Sequence, residues 1–139
     1  IRSLVEVIEQ GAAAAGPRFY LDKDQRILHP PLMDLTIRNE ILWRTAALGD
    51  HWAKSARDSW RKEAKRYWAS ETPIESYCLT GALLAIGRKA WNQIGTFDEI
   101  YQLYFEEVDW LKRLEKSNLK SYYVPEAKAI HTYNQSASK

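Results

Sequence analysis

Three carboxylates fall within four residues at Glu106-Glu107-Val108-Asp109, and an arginine follows at position 113. Carboxylates so closely spaced can take a proton from a hydroxyl, hold a cation, or simply cap and solvate a helix. Their placement around the helix separates these uses. At 3.6 residues per turn, Val108, Leu111 and Leu114 form an apolar stripe, and Glu106, Asp109 and Arg113 lie on the other side. Asp109 and Arg113 stand at i,i+4 in acid-first order, which stabilises a helix by itself and reads equally well as a solvated face. Glu107 shares the Leu111 and Leu114 side, so its carboxylate points toward the body of the protein or a cleft in it. In a first helical turn, free backbone N–H groups and the helix dipole favour the ionised carboxylate. Partial burial opposes that. The balance suits a general base acting on a hydroxyl near neutral pH, and the spacing alone leaves a helix-capping role open.

Four other places carry groups of interest. Asp98-Glu99 follow Phe97 in a turn, where they serve as a cap or line a cleft. Gly81 and Ala82 lack bulk, which allows either a close backbone approach by a ligand or plain close packing. His131 follows an apolar strand, as an edge histidine or a ligand. Asp22-Lys23-Asp24 is a literal D-x-D but falls between two short apolar runs, where aspartate is a turn former.

The elements that must position these groups follow from pattern and punctuation. Leu4, Val5 and Ile8 give helical spacing up to Gly11. Arg18 to Leu21 and Arg26 to His29 read as short strands around the Asp22–Gln25 turn. His29 to Asp50 reads as irregular, since Pro30 and Pro31 forbid a continuous helix. Trp52 to Trp68 is a helix without Gly or Pro. Ser76 to Ile86 reads as a strand, Arg88 to Ile94 as a helix ended by Gly95, and Phe105 to Ser117 as a longer helix. Lys120 to Val124 and Ala127 to Thr132 read as strands parted by Pro125, and Gln135 to Lys139 as a fraying end. The expectation is an α/β fold with a small mixed sheet and the 88–94 and 105–117 helices packed on it.

The 139 residues suffice for one core but are few for an enzyme with two substrates. Hydrophobic residues at 45% and charged residues at 27% are ordinary for a globular chain. The net charge of +2 does not by itself imply a polyanionic partner. A lone cysteine, Cys78, excludes an internal disulfide and fits a reducing compartment. No apolar run approaches the roughly 18 residues of a membrane span. Together these point to a cytoplasmic location.

The 52–68 segment is distinctive. Trp52, Ala56, Trp60, Ala64 and Trp68 recur every four residues, and six cations face two carboxylates, a net of +4 that leaves −2 on the rest of the chain. Such a helix can lie on an anionic lipid surface or pack its tryptophans inward as a scaffold. Aromatics among cations can also stack bases, but no recognised nucleic-acid motif accompanies them, so no nucleic-acid partner is expected.

Read in order, Gly81, Arg88, Gly95-Thr96-Phe97-Asp98-Glu99, Tyr104, Glu106-Glu107-Val108-Asp109, Arg113, Val124-Pro125, Ala127 and His131 resemble the C-terminal half of the catalytic domain of family 2 glycosyltransferases, especially the rhamnosyltransferase-like members. The pattern there is roughly G-a-x-x-x-x-R, G-x-F-D-E, Y-x-E-D-x-D-x-x-x-R and V-P-x-A-x-x-x-H. Glu107 departs from it, since the family usually has Asp. The hairpin before His29 is similar to a G-P-x-L-Y-x-x-D-G-x-I segment of the family, so the resemblance covers nearly the whole chain.

The resemblance implies part of a GT-A domain from an inverting transferase that moves a sugar from a nucleotide-sugar donor to an acceptor hydroxyl, in polysaccharide or glycolipid synthesis. Glu107 matches the catalytic base, with Glu106 and Asp109 beside it. Gly81, Ala82, Asp98, Glu99 and Arg113 match substrate-side positions, and His131 lies where a histidine sits near the diphosphate and its metal. Leu4 to Gln10 resembles the helix after the family's metal-holding D-x-D. This implies that residues 1–139 are the acceptor-side portion, with the nucleotide-binding half elsewhere. Magnesium or manganese would then serve the intact enzyme and not be bound by this chain, which alone would be inactive. An exposed sheet edge would favour a homodimer, and a lipid-linked acceptor would favour peripheral membrane contact. The competing expectation is a non-catalytic module using the basic 52–68 helix on a membrane or nucleic acid.

Overall fold

The computed structural model describes residues 1–32, 36–101 and 105–132, except the side chain of Arg38. Tyr104 and the expected fraying end at 135–139 fall outside the described residues. The elements run α1 (Arg2–Glu9), β1 (Ala14–Tyr20), α2 (Ile37–Thr45), a 3-10 turn (Ala46–Leu48), α3 (Asp50–Ala69), β2 (Ile74–Glu75), β3 (Ala85–Ile86), α4 (Arg88–Ile94), α5 (Glu106–Lys116) and β4 (Ser121–Ile130). The four strands form one mixed sheet in the order β2-β4-β1-β3. The mixed α/β architecture is the one expected.

The sheet is built on the parallel pair β1 and β4, with β2 and β3 added antiparallel at its two edges. β1 begins four residues earlier than its pattern suggests. Ala, Gly and Pro are poor strand formers in isolation, but Ala14 and Ala15 are fully buried, and that packing overrides propensity. Pro125 does not divide β4 in two. Val124 pairs with Pro17 and Lys128 with Arg18, so residues 125–127 bulge out of an otherwise continuous strand. A bulge accommodates the N–H that proline lacks. The returning strand of the 18–29 hairpin is reduced to a single bridge between Tyr20 and Leu28.

Ser76 to Ile86 is not one strand. β2 and β3 lie at opposite edges of the sheet, so the chain between them crosses the sheet and cannot run along it. That crossing buries Leu79 and leaves Gly81 and Ala82 exposed. The stretch expected to be irregular before Asp50 contains α2. Its N-cap Thr36 accepts a hydrogen bond from the Asn39 N–H, and the helix-stopping prolines lie upstream of that cap.

α2 and α3 pack on each other as a helical arm. Arg18, unremarked in the sequence, fastens the arm to the sheet. Its Nε donates to the Tyr123 hydroxyl at 2.9 Å, and Nη2 donates to the Ser70 carbonyl at 2.6 Å and the Trp68 carbonyl at 3.2 Å. A cation on the last carbonyls of a helix satisfies orphan acceptors and complements the helix dipole. Arg18→Met should therefore lower unfolding free energy by about 1.5–3 kcal/mol, measured by urea denaturation. A change under about 0.5 kcal/mol, typical of unlinked surface positions, would mean that the bonds do not hold the arm.

Candidate functional site

The site is set by how α5 turns its faces. Trp110, Leu111 and Leu114 are fully buried, whereas Val108 is only half-buried. The buried stripe thus includes Trp110 in place of Val108, a correction to the wheel drawn from the sequence. Trp110 brings the larger apolar area, and its Nε1–H donates to the Gly95 carbonyl at 2.9 Å. Its ring packs against Trp91 and Phe97. Glu107 stands three, four and seven residues before these core residues, so a carboxylate occupies an inward helical position.

That carboxylate meets the exposed loop of the crossing segment. Glu107 Oε1 accepts a hydrogen bond from the Gly81 N–H at 3.2 Å. The approach is close: a Cβ on Gly81 would lie 3.3 Å from Glu107 Cδ, so the side chain would have to shift by a few tenths of an ångström. The second oxygen, Oε2, is buried without a hydrogen-bond partner. One oxygen is thus held by the loop, and the other is enclosed and unpaired. The Ala82 N–H is turned to Thr80 Oγ1 within the same loop. Thr80 also borders a pocket of about 40 Å³ bounded by Phe19, His29, Tyr67 and Leu79.

Glu106 is less solvated than its wheel position suggests. It is half-buried, and its Oε2 is likewise buried without a partner. The residue before it, Phe105, caps α5 with φ 73° and an exposed ring. The left-handed region costs a bulky L-residue about 1–2 kcal/mol, and strained backbone of this kind clusters at functional sites.

Asp109 and Arg113 form the expected pair, Nε to Oδ2 at 2.8 Å. Arg113 also donates to the Ile94 and Thr96 carbonyls, both at 2.8 Å. The guanidinium thus holds the Gly95 turn (φ 88°) onto α5. It borders a shallow hollow together with Thr96, Phe97, Asp98 and Glu99. Asp98 and Glu99 are exposed, and Asp98 Oδ1 accepts from the Ile100 N–H.

His131 sits at the carboxyl end of β4 beside the end of β1, its N–H donating to the Tyr20 carbonyl at 2.8 Å. Its ring lies 5.6 Å from that of His29 and 5.8 Å from that of Phe19. His29, which no sequence pattern marks out, bonds through Nδ1 to the Pro30 carbonyl at 2.7 Å. Among the described residues no three His, Cys, Asp or Glu side chains converge as a metal-binding group. An octahedral cation that prefers oxygen ligands is not fitted by two imidazoles. Asp22 accepts from the Arg26 and Ile27 N–H groups and is a turn residue, as its setting suggests. These bonds, that of Ile27 foremost, hold its carboxyl below the usual range.

Two curated proteins of Mycobacterium tuberculosis (strains CDC 1551/Oshkosh and ATCC 25618/H37Rv), each an N-acetylglucosaminyl-diphospho-decaprenol L-rhamnosyltransferase, are 44% identical to this chain over 62 residues. The matched stretch is 45% of this chain and only 20% of each relative. No family profile and no solved structure matches. The partial match supports a transferase of the glycosyltransferase kind.

Burial of His29 lowers its pKa, a direction reinforced by His131 and opposed by the Pro30 carbonyl. The unfolded chain then binds the proton more readily, so stability is present above the unfolded value of about 6.5 and falls as pH drops through it. Urea midpoints should fall between about pH 7.5 and 5.5, and His29→Asn should flatten that slope. An unchanged slope in the variant would remove His29 as its source.

Proposed function

We propose that the chain is the acceptor-side portion of an inverting glycosyltransferase of the family 2, GT-A kind, with Glu107 as general base. The observation that carries this reading is the divided state of the Glu107 carboxylate, with Oε1 bound to the Gly81 N–H and Oε2 buried and unpartnered. The partial match to the rhamnosyltransferases supports the reaction class.

In the proposed reaction, Glu107 Oε2 takes the proton of an acceptor hydroxyl. The acceptor oxygen forms a bond to the anomeric carbon as the bond from that carbon to the nucleoside diphosphate breaks. The electron pair leaves with the phosphate, and configuration at carbon inverts because attack and departure occur on opposite faces. Glutamate in place of the family's aspartate reaches one methylene further, and the close approach of Gly81 to its side chain accommodates that length. Asp98, Glu99 and Arg113 border a separate hollow that Glu107 does not line, and in this reading they are acceptor-side residues that act beside the base and do not touch it. Donor diphosphate contacts, including any cation, belong to the nucleotide-binding portion in this reading.

The relatives act on a diphospho-decaprenol carrying N-acetylglucosamine. The acceptor proposed for this protein is accordingly a lipid-linked sugar, met at the cytoplasmic side of a membrane. Glu107→Gln should lower the transfer rate by about 10²–10⁴-fold with donor affinity kept, and Glu106→Gln should cost less. Gly81→Ala, which presses on the Glu107 side chain, should lower the rate without lowering the urea midpoint. Radiolabelled donor assays in the intact enzyme read all three. An active Glu107→Gln variant beside an inactive Glu106→Gln variant would transfer the role to Glu106.

A further inference from the structure

The α2–α3 arm leaves large apolar side chains in water at its far end. Leu48 in the connecting 3-10 turn is 74% exposed, Trp52 in the first turn of α3 is 49% exposed, and Ile41 on α2 is 56% exposed. All lie within about two helical turns of the connection. The other end of α3 is the anchored one: Tyr67 bonds Ser76, Trp68 bonds the His29 carbonyl, and Arg18 caps the helix. The expected tryptophan stripe therefore divides. Trp60 and Trp68 pack edge to face and are half-buried scaffold, whereas Trp52 stands at the free end.

The charges are placed to match. Residues 37–69 carry eight cations and four carboxylates, a net of +4 on a chain of net +2. Three pairs, Arg44–Glu40, Arg61–Asp58 and Arg66–Glu63, neutralise one another locally. Exposed Lys54, Arg57, Lys62 and Lys65 form no salt bridge among the described residues; the first two follow Trp52 within two turns of α3, and one exposed carboxylate, Asp50, lies between Leu48 and Trp52. A leucine and tryptophan tip beside unpaired cations has the composition of a segment that enters the headgroup layer of an anionic membrane. No helix of the described residues is long and apolar enough to cross one.

We infer that the arm is a membrane-docking device, its tip entering the interface of an anionic phospholipid bilayer while Lys54 and Arg57 contact the headgroups. A covering protein or second copy would be expected to offer carboxylates to these cations; a bilayer offers phosphates and an apolar interior together. The proposal stands apart from the transfer reaction, because vesicles without sugar acceptor test it.

The protein is sedimented with phosphatidylcholine vesicles, with and without phosphatidylglycerol, at low and raised salt. Binding should require phosphatidylglycerol and weaken with salt. Lys54→Gln with Arg57→Gln should lower the partition coefficient roughly 30-fold, and Leu48→Asp with Trp52→Asp should abolish retention. All four residues are exposed, so circular dichroism should be unchanged in both variants. Equal binding to neutral and anionic vesicles, or variants that bind like the parent, would overturn the proposal. So would tip variants that convert a dimer to a monomer while keeping vesicle binding, or tighter retention on single-stranded nucleic acid than on vesicles.

Discussion

Burial of Trp110 with Leu111 and Leu114 fixes the rotation of α5, and the rest of the site depends on that rotation. A helix has one way to hide this stripe, and the indole adds a directional bond to the Gly95 carbonyl that prevents slippage. Arg113 makes the same registration from the polar side, bridging Asp109 and the Ile94 and Thr96 carbonyls of the Gly95 turn. With both constraints in place, Glu107 can only point inward, toward the crossing loop. A carboxylate at an inward position is costly unless something else offsets it. Here the Gly81 N–H satisfies one oxygen, and the other is enclosed without a partner.

The sheet supplies a second level of support. Its parallel core joins residues near the start of the chain to residues near its end, so everything between is a long excursion that returns to the same two strands. The excursion divides into a rigid part, where α4 and α5 lock through the Trp91, Phe97 and Trp110 rings, and an arm attached at one end by Arg18. The histidine pair gathers where the parallel strands end, the side of such sheets where ligands are commonly received. On the proposed reading, chemistry belongs to the rigid part and membrane positioning to the arm.

Much of this was legible in the chain. The direction of Glu107 followed from its spacing to Leu111 and Leu114, and α4 runs over Arg88–Ile94 and ends at Gly95 as its pattern suggests. Missed features share a cause, namely tertiary packing that local pattern does not encode. β1 takes in alanines, glycine and proline because two sides of the core close on it. The 76–86 run is apolar like a strand but crosses the sheet instead of joining it. Val108 looked like core because the wheel weighs residue type and not area, and Trp110 displaced it. Gly81 and Glu107 are 26 residues apart, so spacing gave no hint of their contact; only the order of the motifs linked them. Arg18 and His29 carried no signal, since an arginine in a strand and a histidine before prolines are unremarkable until their partners arrive through folding.

The stereochemistry of transfer bears most directly on the proposal that an inward, half-satisfied Glu107 carboxylate acts as base. The intact enzyme would be supplied with a nucleotide-linked sugar of defined anomeric configuration and an N-acetylglucosaminyl-diphospho-polyprenol acceptor, and the product linkage read by proton and carbon NMR. A single displacement assisted by one base predicts a product of opposite configuration to the donor. A product with the donor's configuration would demand a different mechanism and contradict the role assigned to Glu107.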